Sequence, residues 1–358
     1  KLVKEELALI GEDYYAATKA LTYMIESLRQ PTIQFWVGTE PFDNRIHLLL
    51  VGGAGTGKGM AKKVIRNCQD SVECAGARTN LEQLIGKKIK TRSGEEELKG
   101  YFGYKAVIVD ESQKLIQEID NQQGAIMREI RLAMDIFGYN KSEKKLVDTH
   151  LLSYCPETRF TLMVHDIVFP PLFFDTGTFR RMFAFELKPQ KVKANDLIAN
   201  LTRIRVEKQI VEYLNQKDLF CPNTIHFTDE AIKELMDNYL EFIHFLCCNP
   251  NQRVRAFGKN LAFAGKVYFF RLAAILGLSK NEVSITELTA RQASLDAIHF
   301  LLNTIQVYGN KSNPTLSRDC WKTDSFEEAM LFEWIHYNNA LSEVTSESSI
   351  NDVQHMIG

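Results

Sequence analysis

The sequence predicts an α/β fold: a mostly parallel sheet covered by helices, followed by a helical lid. Three observations predict it. Short apolar runs recur, each bounded by turn residues, as in strands buried on both faces. Between them lie stretches with apolar residues at helical spacing, the alternation that builds parallel sheets. After Pro189 the strand-like runs stop and helical patterns dominate.

Glu12 to Leu28 places Tyr15, Ala16, Leu21, Met24, Ile25 and Leu28 at helical spacing, and Pro31 ends that helix. IHLLLV, Ile46 to Val51, is a buried strand. Gly-rich GGAGTGKG follows, then a helix from Met60 to about Asn67 and a second strand from Ser71 to Cys74. Thr79 to Tyr104 is polar, with Gly86, Gly94 and Gly100, and reads as an inserted excursion. AVIVDE, Ala106 to Glu111, is a strand ending in two acids. Gly124 to Ile136 is helical. Phe137 to Leu152 carries turn residues at Gly138 and Asn140 and reads as a β-hairpin. FTLMV, Phe160 to Val164, and FAFEL, Phe183 to Leu187, are further strands.

Beyond a boundary near Lys188, helices are expected over Ala194 to Asn215, Asp229 to Leu246, Val254 to Leu276 and Thr286 to Ile305. A loop and an amphipathic stretch, Phe326 to Asn338, follow. The chain divides into an α/β core (1–188), a helical lid (189–305) and a C-terminal extension (306–358).

A net charge of −2 shows no overall basic character, so any nucleic-acid contact needs basic groups gathered locally, as inside a ring. The most apolar stretch, Leu261 to Leu278, is interrupted by Lys266 and Arg271 and fits a packed helix rather than a membrane span. No signal peptide is visible. The seven cysteines form no CxxC pair and read as buried free thiols of a reducing, intracellular compartment: cytoplasm, nucleoid or nucleus.

Gly52, Gly57 and Lys58 match the GxxxxGK phosphate-loop pattern, placed between a strand and a helix. Glycines let backbone N–H groups turn around phosphate oxygens, Lys58 supplies charge to β- and γ-phosphates, and the helix N-terminus adds its dipole. The expected nucleotide contacts are Gly52, Gly53, Ala54, Gly55, Thr56, Gly57, Lys58, Gly59 and Met60, with ATP and Mg2+ as cofactors. One position departs from the pattern. Gly59 stands where Ser or Thr gives a hydroxyl to Mg2+, which leaves that ligation to water or Thr56, or weakens metal-dependent turnover.

Downstream, Asp110 at a strand end suits a hydrated Mg2+, and Glu111 suits a base that orients and deprotonates the attacking water. Without the upstream phosphate loop, the same string would be a solvated strand-to-helix turn.

With these motifs in order, the chain resembles the motor domain of the minichromosome-maintenance (MCM) helicases, which are AAA+ ATPases. The resemblance rests on LALIGEDYYAATKALTYMIESL (7–28), RIHLLLVGGAGTGKG (45–59), KAVIVDESQKL (105–115), IMREIRLAMD (126–135), VFPPLFFDTGTFRRMFAFEL (168–187) and NQRVRAFGKNLAFAGKV (251–267). It spans about Leu7 to Ile305. It implies a homo-hexameric ring with ATP at each junction. Lys58, Asp110 and Glu111 would come from one subunit, and Arg181 (finger) and Arg253 (sensor 2) from its neighbour. The sensor 1 position, usually Asn, here falls on VHD, so His165 or Asp166 serves. Lys141, Lys144 and Lys145, in the hairpin before the sensor strand, are the candidate grip on single-stranded DNA in the pore. As a string alone, KSEKK is a charged, solvated loop. Two other classes compete: an AAA+ protein remodeller of the MoxR-like kind, and a weakly catalytic nucleotide-binding assembly or loader subunit, which Gly59 favours. Basic rather than apolar pore residues favour the DNA motor.

Overall fold

The computed structural model describes residues 15–68, 70–76, 79–91, 94–117, 124–135, 144–146, 149–151, 157–165, 167–170, 177–187, 212–213, 222–249, 252–262 and 264–311. Over these the chain runs α1 (Tyr15–Arg29), β1 (Gln34–Val37), β2 (Glu40–Asp43), β3 (Leu48–Val51), α2 (Lys58–Arg66), β4 (Ser71–Ala75), α3 (Leu81–Ile85), β5 (Gly86–Thr91), β6 (Gly94–Lys99) and β7 (Ala106–Asp110). It continues α4 (Gln113–Gln117), α5 (Gly124–Met134), β8 (Lys144–Leu146), β9 (Thr149–Leu151), β10 (Arg159–Val164) and β11 (Phe183–Glu186). The last elements are β12 (His226–Phe227), α6 (Asp229–Cys248), α7 (Gln252–Leu261), α8 (Lys266–Ser279), β13 (Ser284–Ile285) and α9 (Glu287–Lys311).

The core is a five-stranded, all-parallel sheet in the order β11-β3-β10-β7-β4. All four residues of β3 and all six of β10 are buried, which is why β3 is continuously apolar and β10 is apolar but for Arg159 and Thr161 rather than alternating. The phosphate-loop strand β3 and the acidic strand β7 are not neighbours. β10 lies between them, so whatever follows Val164 stands between the loop and the acids.

β11 is an edge strand, and α9 lies along it. Phe300 meets Phe183 and Phe185 edge-on at 5.2 and 5.6 Å, and Thr304 Oγ1 accepts the Ala184 N–H at 3.0 Å, a donor facing away from β3. A helix thus blocks further pairing at that edge. α9 continues past the expected end at Ile305 to Lys311.

The expected helix from Val254 to Leu276 is two helices, α7 and α8, meeting at 68°. The Tyr239 hydroxyl donates to the Ala262 carbonyl at 2.6 Å, taking up an end-of-helix acceptor. Gly265 leaves room for that ring, since a Cβ there would lie 3.2 Å from Tyr239 Cε2. Within α8, Tyr268 to Ile275 are all buried, Arg271 included, as expected of a packed helix. Among the described residues no single helix is long and apolar enough to cross a membrane.

Besides the β1–β2 hairpin, two further hairpins lie outside the sheet among the described residues. The polar excursion is in part the β5–β6 hairpin, whose register sets Lys88 opposite Glu97 and Lys90 opposite Glu95. Gly86 (φ 89°) and Gly100 close its base, where a Cβ on Gly86 would meet the Gly100 nitrogen at 2.7 Å. The second hairpin, β8–β9, falls where the sequence places one. The expected helix at 194–215 lies outside the described residues except Glu212 and Tyr213, which are helical; 312–358 lie outside them altogether. Cys68 and Cys74 are buried free thiols as expected, whereas Cys247 is half-buried and Cys248 exposed.

Candidate phosphate-binding site

The site is built on the C-terminal end of the sheet, where β3 runs into a glycine-rich turn and α2. The Gly52 N–H donates to the Val164 carbonyl at 3.1 Å, tying the loop to β10. Gly52 has no alternative, because a Cβ there would lie 2.6 Å from the Leu187 carbonyl and 2.7 Å from Thr56 Oγ1. Gly57, at φ 87°, caps α2 in the left-handed region that glycine adopts without strain. Gly53, Ala54 and Gly55 are exposed, so the loop presents open backbone at a helix N-terminus, the arrangement that receives an anion. Met60, in the first turn of α2, donates its N–H to the Gly57 carbonyl at 2.9 Å.

Lys58 folds back across the loop. Its ammonium donates to the Gly52 carbonyl and, at 2.9 Å, to the Val164 carbonyl, and lies 3.3 Å from His165 Nδ1. Partial burial lowers its pKa, opposed by the charge of Asp110. His165, exposed at the end of β10, thus stands beside Lys58, between loop and acids. Asp166 lies outside the described residues.

On β7, Asp110 Oδ1 accepts the Glu111 N–H at 3.0 Å, and Oδ2 accepts from Lys62 Nζ at 2.7 Å. Burial pushes the Asp110 pKa up, but the bonds from Lys62 and the Glu111 N–H, with the Lys62 and Lys58 charges, outweigh it and the net shift is down. Glu111 is exposed and sits at φ 51°, a left-handed conformation unusual for a residue with a side chain. The turn is pinned by Ser112, whose N–H donates to the Met163 carbonyl at 2.9 Å, and passes over Gly76, where a Cβ would meet the Glu111 carbonyl at 3.0 Å.

The structure does not bring Arg181 to this site. β11 runs parallel to β3 with Phe183 opposite Leu48, so Arg181 belongs to the other end of the sheet. Six residue steps separate it from the level of Gly52, roughly 20 Å at strand rise. Arg181 donates to Asp135 Oδ1 (2.6 Å) and Oδ2 (2.9 Å) and to the Gly177 carbonyl (2.7 Å). Arg131 is near enough for the Arg181 charge to lower its pKa, after burial, as does that of Arg128. The face opposite the phosphate loop is therefore rich in arginine. Arg253 lies on α7, and its side chain is outside the described residues. Lys144 and Lys145 lie in strand β8, facing Leu151 and His150 in register, rather than at the tip; Lys141 lies outside the described residues.

Sequence reasoning missed Lys62. Its signal was present: Lys62 is four residues after Lys58, so both project from one face of α2. It also missed a buried ionic cluster. Asp43 on β2 receives Arg45 (2.8 Å) and Arg271 (3.0 Å), all three nearly sealed from solvent. Burial raises the Asp43 pKa, and the two arginines overcome that and hold it well below the usual carboxylate range. The arginines also reach the end of α5, Arg45 to the Ala133 and Asp135 carbonyls at 2.8 Å each, where positive charge suits a helix C-terminus.

The donor set as arranged does not fit a divalent cation. Gly59 has no hydroxyl. Thr56 is buried with its hydroxyl donated to the Gly53 carbonyl at 2.9 Å, so it does not stand in. Both Asp110 oxygens are engaged. The loop itself fits a phosphate. A scan against models of protein families and a search of curated proteins each returned no match for this chain.

Proposed function

We propose that the chain is a P-loop nucleotide-binding module of the AAA+ type that binds ATP at junctions between copies of itself in a ring. We further propose that it works as an MCM-like motor on single-stranded DNA. The observation that carries the reading is the division of the site between the two ends of one sheet. The glycine loop, Lys58 and the Asp110–Glu111 turn stand at the C-terminal end, and Arg181 stands at the other, on an arginine-rich face. An arginine there meets a γ-phosphate only when supplied by a neighbouring copy. In that setting Lys58 leaves the two carbonyls for the phosphates, Glu111 orients and deprotonates water, His165 polarises it from the strand between, and Arg181 neutralises developing charge. The β8–β9 hairpin with Lys144 and Lys145 is the proposed contact to the DNA backbone.

The test is the ATPase rate of the assembled chain with and without single-stranded DNA. The motor reading expects stimulation by DNA. A rate indifferent to DNA favours the second reading, a nucleotide-binding assembly or loader subunit of low turnover, which the engaged Asp110 and Gly59 support.

A further inference from the structure

We propose that Lys62 is the built-in cation of this site. Its ammonium holds the place opposite Asp110 that a divalent ion would take, so the chain binds nucleoside triphosphate without Mg2+. The inference rests on the phosphate-loop reading and goes beyond it by assigning the counter-ion.

The geometry carries it. Lys62 Nζ lies 2.7 Å from Asp110 Oδ2 and 2.9 Å from Glu73 Oε1, and Arg66 takes the other Glu73 oxygen at 3.2 Å. Two carboxylates and two cations thus form a closed, neutral set. Asp110 has no uncompensated charge left to attract a second cation, and a metal ion would first have to expel the ammonium from a charge-assisted hydrogen bond. The ammonium is also more firmly charged than a free lysine, first through its bond to Asp110 and then through that to Glu73.

The other half of a metal site is missing in the same place. A side chain at position 59 would meet nothing within 4 Å, and Gly59 does not lie in the left-handed region. No steric or backbone demand therefore accounts for glycine there. The missing hydroxyl at position 59 and the ammonium seated on Asp110 are two separate features that both stand against a metal there. Lys58 and Lys62 stand one helical turn apart on α2, and with Asp110 neutralised by Lys62 the triphosphate meets the charge of Lys58 without an opposing free carboxylate.

The experiment is equilibrium binding of ATP to the full chain, in Mg2+ and in excess EDTA, for the parent, Lys62→Met, Lys62→Arg and Lys62→Met/Gly59→Ser, with thermal unfolding as the check on fold. The parent is expected to bind equally in both media. Lys62→Met should bind ~10-fold or more weakly in EDTA, the scale for losing a charged partner. Lys62→Arg should behave as the parent, and the double variant should require Mg2+. Parent binding that falls about tenfold in EDTA, or a folded Lys62→Met that matches the parent in both media, overturns the inference and leaves the phosphate loop standing. Absence of ATP binding by the parent in both media removes the phosphate-loop reading and this inference with it.

Discussion

Arg181 and Asp135 form a two-point ion pair, Nε to Oδ1 at 2.6 Å and Nη2 to Oδ2 at 2.9 Å. The Asp135 carbonyl is held in turn by Arg45, which shares Asp43 with Arg271 of α8. The proposed finger is therefore fixed, through the end of α5, to a buried cluster that also holds α8. Arg181→Ala should leave ATP binding intact and lower hydrolysis by ~10³-fold, the scale for an arginine that meets transferring phosphate. Mixing Arg181→Ala subunits with Lys58→Ala subunits, each inactive alone, should restore partial activity at junctions that pair intact partners. No recovery in rings shown to be mixed would exclude action in trans.

Glu111 offers a separation of fold from function. Its φ of 51° costs a residue with a side chain ~1 kcal/mol that glycine does not incur. Glu111→Gly should raise the unfolding free energy by about that amount while hydrolysis falls ~100-fold or more, the scale for a positioned base. Glu111→Gln should lose the same turnover without the gain in stability. A Glu111→Gly variant with parental turnover would reduce Glu111 to a turn residue.

His47 predicts a pH dependence. It is wholly buried in the stretch leading into β3, and Nδ1 accepts the Phe160 N–H at 3.1 Å, so that nitrogen must carry no proton. Burial, with the charges of Arg45 and Arg271, holds its pKa well below 6.5, only partly offset by Asp43. The unfolded chain takes up the proton first. The contribution is thus full above about pH 6.5 and lost as pH falls below it. Thermal midpoints from pH 8 to 4 should decline from about 6.5 downward, and more steeply than in His47→Gln, which keeps an acceptor but does not titrate. Parallel curves would assign the decline to another group.

The hairpin lysines are tested by salt. Lys144→Glu with Lys145→Glu should weaken single-stranded DNA binding and flatten its dependence on salt, since every lysine withdrawn from a phosphate leaves one counterion fewer to be released on binding. An unchanged salt slope would take β8 out of the DNA interface.

The sheet was legible because its strands are buried on both faces, which makes β3 wholly apolar and β7, β10 and β11 apolar but for Asp110, Arg159, Thr161 and Glu186. The glycine-rich turn between β3 and α2 was legible because glycine and lysine spacing is set by local backbone geometry. What escaped depends on distant partners. At the break near Ala262 the carbonyl is taken by Tyr239, 23 residues away, and the sequence marks the break with Gly265 within a pattern that otherwise stays apolar. The β5–β6 hairpin is polar on both strands and carries no burial signal. Arg271 looks like an interruption of an apolar helix until Asp43 is brought against it. Lys62 sits at the spacing from Lys58 that shares a helix face, but its partners Glu73 and Asp110 lie on two strands, β4 and β7.

The most direct test of the account is ATP affinity, by calorimetry, for the parent and for Lys58→Ala. Lys58 is half-buried and bonded only to backbone carbonyls at the loop, apart from its approach to His165, so the variant should unfold at nearly the parental temperature. Its ATP affinity should fall ~10-fold or more, as for the loss of a charged hydrogen-bond donor. Equal ATP affinity in the parent and a folded Lys58→Ala variant would contradict the phosphate-binding loop on which the account stands.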